Sequence, residues 1–112
     1  MTPGHYSLKP TAACLREAGL KVAVNSPSLD FVTSSAPAGA LSSARDGKVF
    51  TIAFGNTQDD ANILVAGYRR SAGNKLEKRR LHSLLDLEGN AVVYWHTEPT
   101  ASEAEGVRGC LG

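Results

Sequence analysis

The stretch Gly39-Ala-Leu-Ser-Ser-Ala-Arg-Asp-Gly-Lys-Val-Phe-Thr-Ile-Ala-Phe54 decides the fold. Asp46-Gly47 is the strongest hairpin signal in the chain, because a tight two-residue turn needs positive φ, which Gly adopts freely and Asp tolerates. It predicts a weaker strand over 39–45 joined to a strong one over 48–54. In the second strand Phe50, Ile52 and Phe54 fall on one face and Val49, Thr51 and Ala53 on the other, since strand side chains alternate. The remaining elements must pack on the sheet this hairpin begins.

Upstream, Pro10 suits a first helical position, where its missing N–H leaves no bond unmade. Ala12, Ala13, Leu15, Arg16, Glu17 and Ala18 favour a helix over 10–18, and Gly19 caps it with Leu20 placed to touch Leu15. Residues 1–9, with His5, read as a tail. Leu20, Val22 and Val24 alternate with Lys21, Ala23 and Asn25, the period of a half-buried strand. Residues 25–38 form a Ser/Pro-rich connection that Leu29, Phe31 and Val32 should pin to the core.

Downstream, Thr57-Gln-Asp-Asp60 is a capping box opening a helix over 58–72. Ile63, Leu64, Ala66, Gly67 and Tyr68 are expected near its buried side. Gly73-Asn74 interrupts it, and 75–86 reads as a second helical piece carrying Leu76, Leu81, Leu84 and Leu85. Gly89-Asn90 turns into a strand over Ala91–Trp95, and Pro99-Thr-Ala-Ser-Glu103 opens a last helix over 101–110. The order α-β-β-β-α-β-α predicts one α+β domain over 10–112. Its form would be a two-layer sandwich, a mainly antiparallel sheet of about four strands with helices on one face.

The chain has 112 residues, 12 Lys and Arg against 11 Asp and Glu, and 42% hydrophobic residues. Such a balance lacks the basic excess of a dedicated nucleic-acid binder. No apolar run approaches the length of a membrane span. The start, Met1-Thr-Pro-Gly-His-Tyr6, has neither the basic head nor the apolar stretch of a signal peptide.

Cys14 lies in the first helix and Cys110 in the last. Packed on one face, the two helices would bring them within bridging distance, which implies an oxidising compartment. Two buried thiols in a cytoplasmic protein are the alternative. Without a C-x-x-C pair, redox catalysis and the usual zinc spacings have no support. The stretch Thr11–Val22 (around Cys14-Leu-Arg16), Asp30-Phe-Val32, Phe54-Gly55, Tyr68-Arg-Arg70, Gly89–Val93 and Cys110-Leu111 resembles a group of small bacterial proteins bracketed by two cysteines. That resemblance implies the Cys14–Cys110 bridge and an exported or membrane-tethered setting, with the leader or anchor outside this sequence. It implies no activity.

Arg69, Arg70, Lys75, Lys78, Arg79 and Arg80 face Glu77 alone, a local balance of +5. Such a segment either binds a polyanion or solvates a helix end, and Asp86 and Glu88 dilute it. Gly55-Asn56-Thr57 precedes a helix, but neither G-x-G-x-x-G nor the Walker spacing is present, so no cofactor is expected. His82, Asp86 and His96 could in principle hold a metal, though no spacing selects them over surface roles. No Ser or Thr stands in a nucleophile motif. If helices cover one sheet face, the other presents Val49, Thr51 and Ala53 with Tyr94 or Trp95. That face would meet a second copy or a protein partner, unless the 25–38 connection folds over it. The sequence therefore points to a disulfide-closed binding or accessory domain outside the cytoplasm. An intracellular polyanion binder through 69–80 is the alternative.

Overall fold

A computed structural model describes residues 4–112. The hairpin forms as its turn chemistry dictates. Strands β2 (Ala40–Arg45) and β3 (Lys48–Phe54) pair antiparallel from Arg45 opposite Lys48, with φ of 52° at Asp46 and 78° at Gly47, the signs of a type I′ turn. Around it stand β1 (Val22–Val24), β4 (Leu85–Glu88) and β5 (Ala91–Trp95), giving a five-stranded antiparallel sheet in the order β1-β2-β3-β5-β4. The α+β class and the antiparallel sheet hold, with one strand more than expected. The extra strand is β4: its Leu85-Asp-Leu-Glu88 hairpins with β5 around Gly89-Asn90, so the helix expected over 75–86 ends at Leu84.

Among the described residues five helices surround the sheet: α1 (Leu8–Glu17), α2 (Phe31–Ser34), α3 (Gln58–Ser71), α4 (Lys75–Leu84) and α5 (Ala101–Arg108). Helix α1 begins two residues earlier than Pro10 suggests, and Pro10 is its third residue. The ring is harmless there too, because the first-turn N–H groups have no helical partner. Its C-terminus is a Schellman cap: the Leu20 N–H donates to Leu15 O at 3.0 Å and the Gly19 N–H to Arg16 O at 2.9 Å, with Gly19 at φ 89°. Both expected capping boxes are present, Thr57 with Asp60 on α3 and Thr100 with Glu103 on α5.

The layering differs from the expected two. Phe50, Ile52 and Phe54 pack with Val93, Trp95, Leu41 and the inner sides of α1 and α5, at Leu15 and Val107. On the opposite face Ala53 and Val92 pack under Ala61, Leu64 and Tyr68 of α3, with Val32 of α2 alongside. Helices thus cover both faces, because β3 and β5 are apolar on both sides and each side must be buried. In α3 the buried positions are Ala61, Leu64 and Tyr68, one helical face, while Ile63 is 65% exposed, contrary to expectation. Phe31 likewise does not pin its segment: it is 87% exposed, and Val32 and Thr33 make that contact instead.

Residues 4–7, expected as part of a tail, are held to the domain, chiefly by one buried side chain. Asn90 accepts the Tyr6 N–H at 2.6 Å and donates to Tyr6 O at 2.8 Å and Gly55 O at 2.7 Å. The far end is anchored beside it in sequence terms: Ser7 N–H donates to Gly112 O at 2.7 Å, and Gly112 N–H to Thr11 Oγ1 at 3.2 Å. Cys14 and Cys110 are joined, with 5.3 Å between their Cα atoms. The bridge closes α1 onto Cys110, two residues past the end of α5.

The Lys48 ammonium and the Glu103 carboxylate meet at 2.7 Å, tying β3 to α5. That hydrogen bond, with the Thr100 N–H, holds the Glu103 carboxyl down at about 2 against an ordinary 4.5. A depressed carboxyl stabilises the fold above its unfolded value and loses that contribution as pH falls from about 4.5 towards 2. Acid titration followed by Trp95 fluorescence should therefore show Glu103→Gln to be less stable than wild type at neutral pH. The two should converge at the acid end.

Candidate functional site

The α3 side of the sheet carries a cleft of about 390 Å³ between α2, the end of α3, α4 and β5. Phe31, Tyr68 and Tyr94 supply aromatic walls, Val32, Leu81 and Leu84 aliphatic ones, and Asp30, Glu77, Arg80 and His96 charge and polarity. The volume lies in the range of small-molecule sites. A second groove shares Asp30, Tyr94 and His96 with it and adds Ser28, Leu29, Ser42, Val49 and Thr51.

Each wall has a local cause. Asp30 caps α2 by accepting the Thr33 N–H at 2.9 Å, which fixes its carboxylate at the cleft. Asn74 caps α4 through the Glu77 N–H at 2.9 Å, and the Glu77 carboxylate turns back to accept the Gly73 N–H. Strand alternation puts Thr51 opposite Tyr94 on this face, and the Tyr68 and Tyr94 rings lie 4.9 Å apart. His96, just past β5, continues the row at 5.4 Å from Tyr94.

The hydroxyls form an ordered chain. A carboxylate only accepts, so Thr33 donates its hydroxyl proton to Asp30 Oδ2 at 2.7 Å. The Thr33 oxygen therefore accepts from the Tyr68 phenol in the short bond between them. Burial, reinforced by the Asp30 charge, pushes the Tyr68 phenol up to about 12 from 10. Tyr94 is also raised, first by burial and then by the charges of Asp30 and Glu77.

A raised phenol stabilises the fold fully below pH 10 and loses that contribution as pH climbs towards 12. The loss should reach about 2–3 kcal/mol by the upper end. Urea titrations between these limits should show it, and Tyr68→Phe should remove that part of the pH dependence.

Thr51 Oγ1 is the only buried side-chain oxygen or nitrogen among the described residues without a hydrogen-bond partner. An unpaired buried hydroxyl costs stability, so Thr51→Val should stabilise the free protein by about 1 kcal/mol in urea unfolding.

The expected partner face is not an open surface. Ala53 and Thr51 are buried, and Trp95 belongs to the opposite face, where its ring lies 4.7 Å from Phe50. Val49 and Tyr94 keep partial exposure, and both line the grooves described above. Strand alternation had left Tyr94 and Trp95 equivalent; the register Phe50 opposite Trp95 resolves them.

The six cations are all exposed, Arg69 and Arg70 on α3 and Lys75, Lys78, Arg79 and Arg80 on α4. None enters an ion pair among the described residues. Only Arg80 lines the cleft.

The triad His82, Asp86 and His96 is not assembled, because Asp86 stands on β4 and not on the helix that carries His82. Asp86 pairs with Arg108 at 3.4 Å, and no metal-binding group occurs among the described residues. No hydrogen bond among them joins a Ser or Thr hydroxyl to a histidine; His5, expected in the tail, touches Asn56 O at 3.2 Å. No helix among the described residues is long and apolar enough to cross a membrane.

Sequence reasoning missed Asn90, Thr33 and the cleft itself. Asp30-Phe-Val-Thr33 carries the signal of a capped turn of helix, an acid followed three residues later by an N–H to satisfy. Nothing local marks the cleft, since its walls come from four segments. No family model matches the chain, and no curated protein or solved structure is significantly similar to it. Fold and site together define a small antiparallel α+β domain with a sulfur-closed core on one face and an aromatic cleft on the other.

Proposed function

We propose that this chain is a non-enzymatic binding or accessory domain of an exported bacterial protein, taking its ligand in the cleft on the α3 side. The observation that carries the reading is the Cys14–Cys110 bridge, which joins residues 96 apart. Such bridges persist in oxidising compartments and are rare in reducing ones. The binding role is supported by the cleft, whose apolar and aromatic walls meet a few fixed polar groups, the usual composition of a ligand site.

A fragment titration followed by amide chemical shifts tests the binding role. Shifts should cluster at Thr33, Tyr68, Tyr94 and His96. Shifts scattered over the surface, or confined to the α1 side, would contradict it.

A second reading rests on a separate observation: six exposed cations on two consecutive helices have no acidic partner among the described residues. It makes the corner of α3 and α4 a polyanion-binding surface. Heparin affinity that falls steeply with salt and is lost on neutralising Lys75, Lys78 and Arg79 would favour it. Weak, salt-insensitive retention would set it aside.

A further inference from the structure

The cleft has a sign. Its rim carries two carboxylates, Asp30 from the α2 cap and Glu77 from the first turn of α4, against the single guanidinium of Arg80. Its lining includes the rings of Phe31, Tyr68 and Tyr94, and aromatic faces attract cations. The carboxylates are held in place by backbone N–H groups and not by any lysine or arginine, so neither is neutralised by an ion pair among the described residues. Both charges reach Tyr94, whose phenol they help to raise.

The second groove supplies an independent observation. Thr51 Oγ1, buried and without a partner, lines it together with Asp30 and Tyr94. A hydroxyl both donates and accepts, so a polar group reaching along the wall from Asp30, or a water bound to that group, would satisfy it. A primary ammonium has three donors and no acceptor. An anion would meet two like charges at the rim, and a purely apolar ligand would make no use of either carboxylate.

From these features we infer that the cleft binds a small primary amine in its ammonium form, carried on an aryl or short alkyl body. The ammonium sits at the Asp30 and Glu77 rim, and the apolar body lies against Tyr68, Tyr94 and Leu81. The inference rests on the binding role proposed above and gives it a ligand class.

Three probes of one shape test it: phenethylamine, 2-phenylethanol and 3-phenylpropionate, each titrated into the oxidised protein and followed by calorimetry and amide shifts. Phenethylamine should bind about ten-fold or more tightly than the other two, the size of a partly desolvated cation–aromatic contact with a carboxylate partner. Asp30→Asn and Glu77→Gln keep their cap and backbone hydrogen-bond acceptors while removing charge. Each should weaken phenethylamine several-fold and leave 2-phenylethanol unchanged.

Equal binding of amine and alcohol at the cleft would overturn the ammonium inference and leave the binding role standing. Tighter binding of phenylpropionate, abolished by Arg80→Gln, would overturn it in favour of an anion site. Failure of all three to shift any cleft amide would overturn the ligand class and count against the cleft as the binding site.

Discussion

Replacing Cys14 and Cys110 together by alanine is expected to lower stability by about 4–5 kcal/mol, the chain-entropy value for a closed loop near 100 residues. The bridge spans 96 positions, so without it the unfolded chain regains almost all its freedom. The folded state loses little in exchange. The same corner is held by Ser7 with Gly112 and by Thr11 with Gly112, and Leu15 and Val107 remain in the core.

Urea unfolding followed by Trp95 fluorescence measures the effect. Trp95 is the chain's one tryptophan and is buried against Phe50. Reductant should bring wild type down to the double variant and leave the variant unmoved. A double variant as stable as oxidised wild type would mean that the bridge adds nothing to the fold.

The second large effect falls on Asn90→Ala, at about 3–4 kcal/mol. The side chain makes three hydrogen bonds, two to Tyr6 and one to Gly55, and is 2% exposed. Its removal leaves a buried carbonyl at Gly55 and both backbone groups of Tyr6 without partners. Each such group costs about 1–3 kcal/mol where water cannot replace the bond. Residues 4–7 then lose their main anchor, although Tyr6 packs against the core.

Hydrogen exchange should register this separately from global stability. The Tyr6 amide should exchange freely in the variant while the Phe50 and Val93 amides remain protected. Retained protection at Tyr6 would show that the aromatic ring and not the amide holds the segment.

What the sequence made legible was governed by near neighbours. Asp46-Gly47 specified its hairpin because the positive-φ requirement is satisfied within two residues. Gly19 after Leu15, and the Thr-to-acid spacings at Thr57 and Thr100, marked helix ends for the same reason. The alternation of Phe50, Ile52 and Phe54 set one core face correctly. It could not say that Ala53 and Val92 would be buried as deeply, because small apolar residues suit either a covered face or an open one. That ambiguity hid the third layer.

Strand β4 was obscured by a helical reading that ran through Leu84 and Leu85, a short apolar run whose period does not separate the two states. The disulfide was suggested by two cysteines in helices expected on one face, and α1 and α5 do share that face. The cleft was illegible for a different reason. Tyr68, Glu77 and Tyr94 come from the crossover that leaves β3 through α3 and α4 and returns to β5, and Asp30 meets them from the connection between β1 and β2, a long-range arrangement that no local pattern encodes. Arg80 alone, among the cations singled out in the sequence, belongs to it.

The proposal of an exported, disulfide-closed domain is tested most directly by intact mass with thiol trapping, on protein taken from its native cells with an alkylating agent present at lysis. A single species with no alkylated cysteine is expected, lighter than the reduced chain by about 2 Da for the two hydrogens lost on oxidation. Alkylation of both Cys14 and Cys110 at lysis would contradict it, placing the protein in a reducing compartment with the bridge unformed.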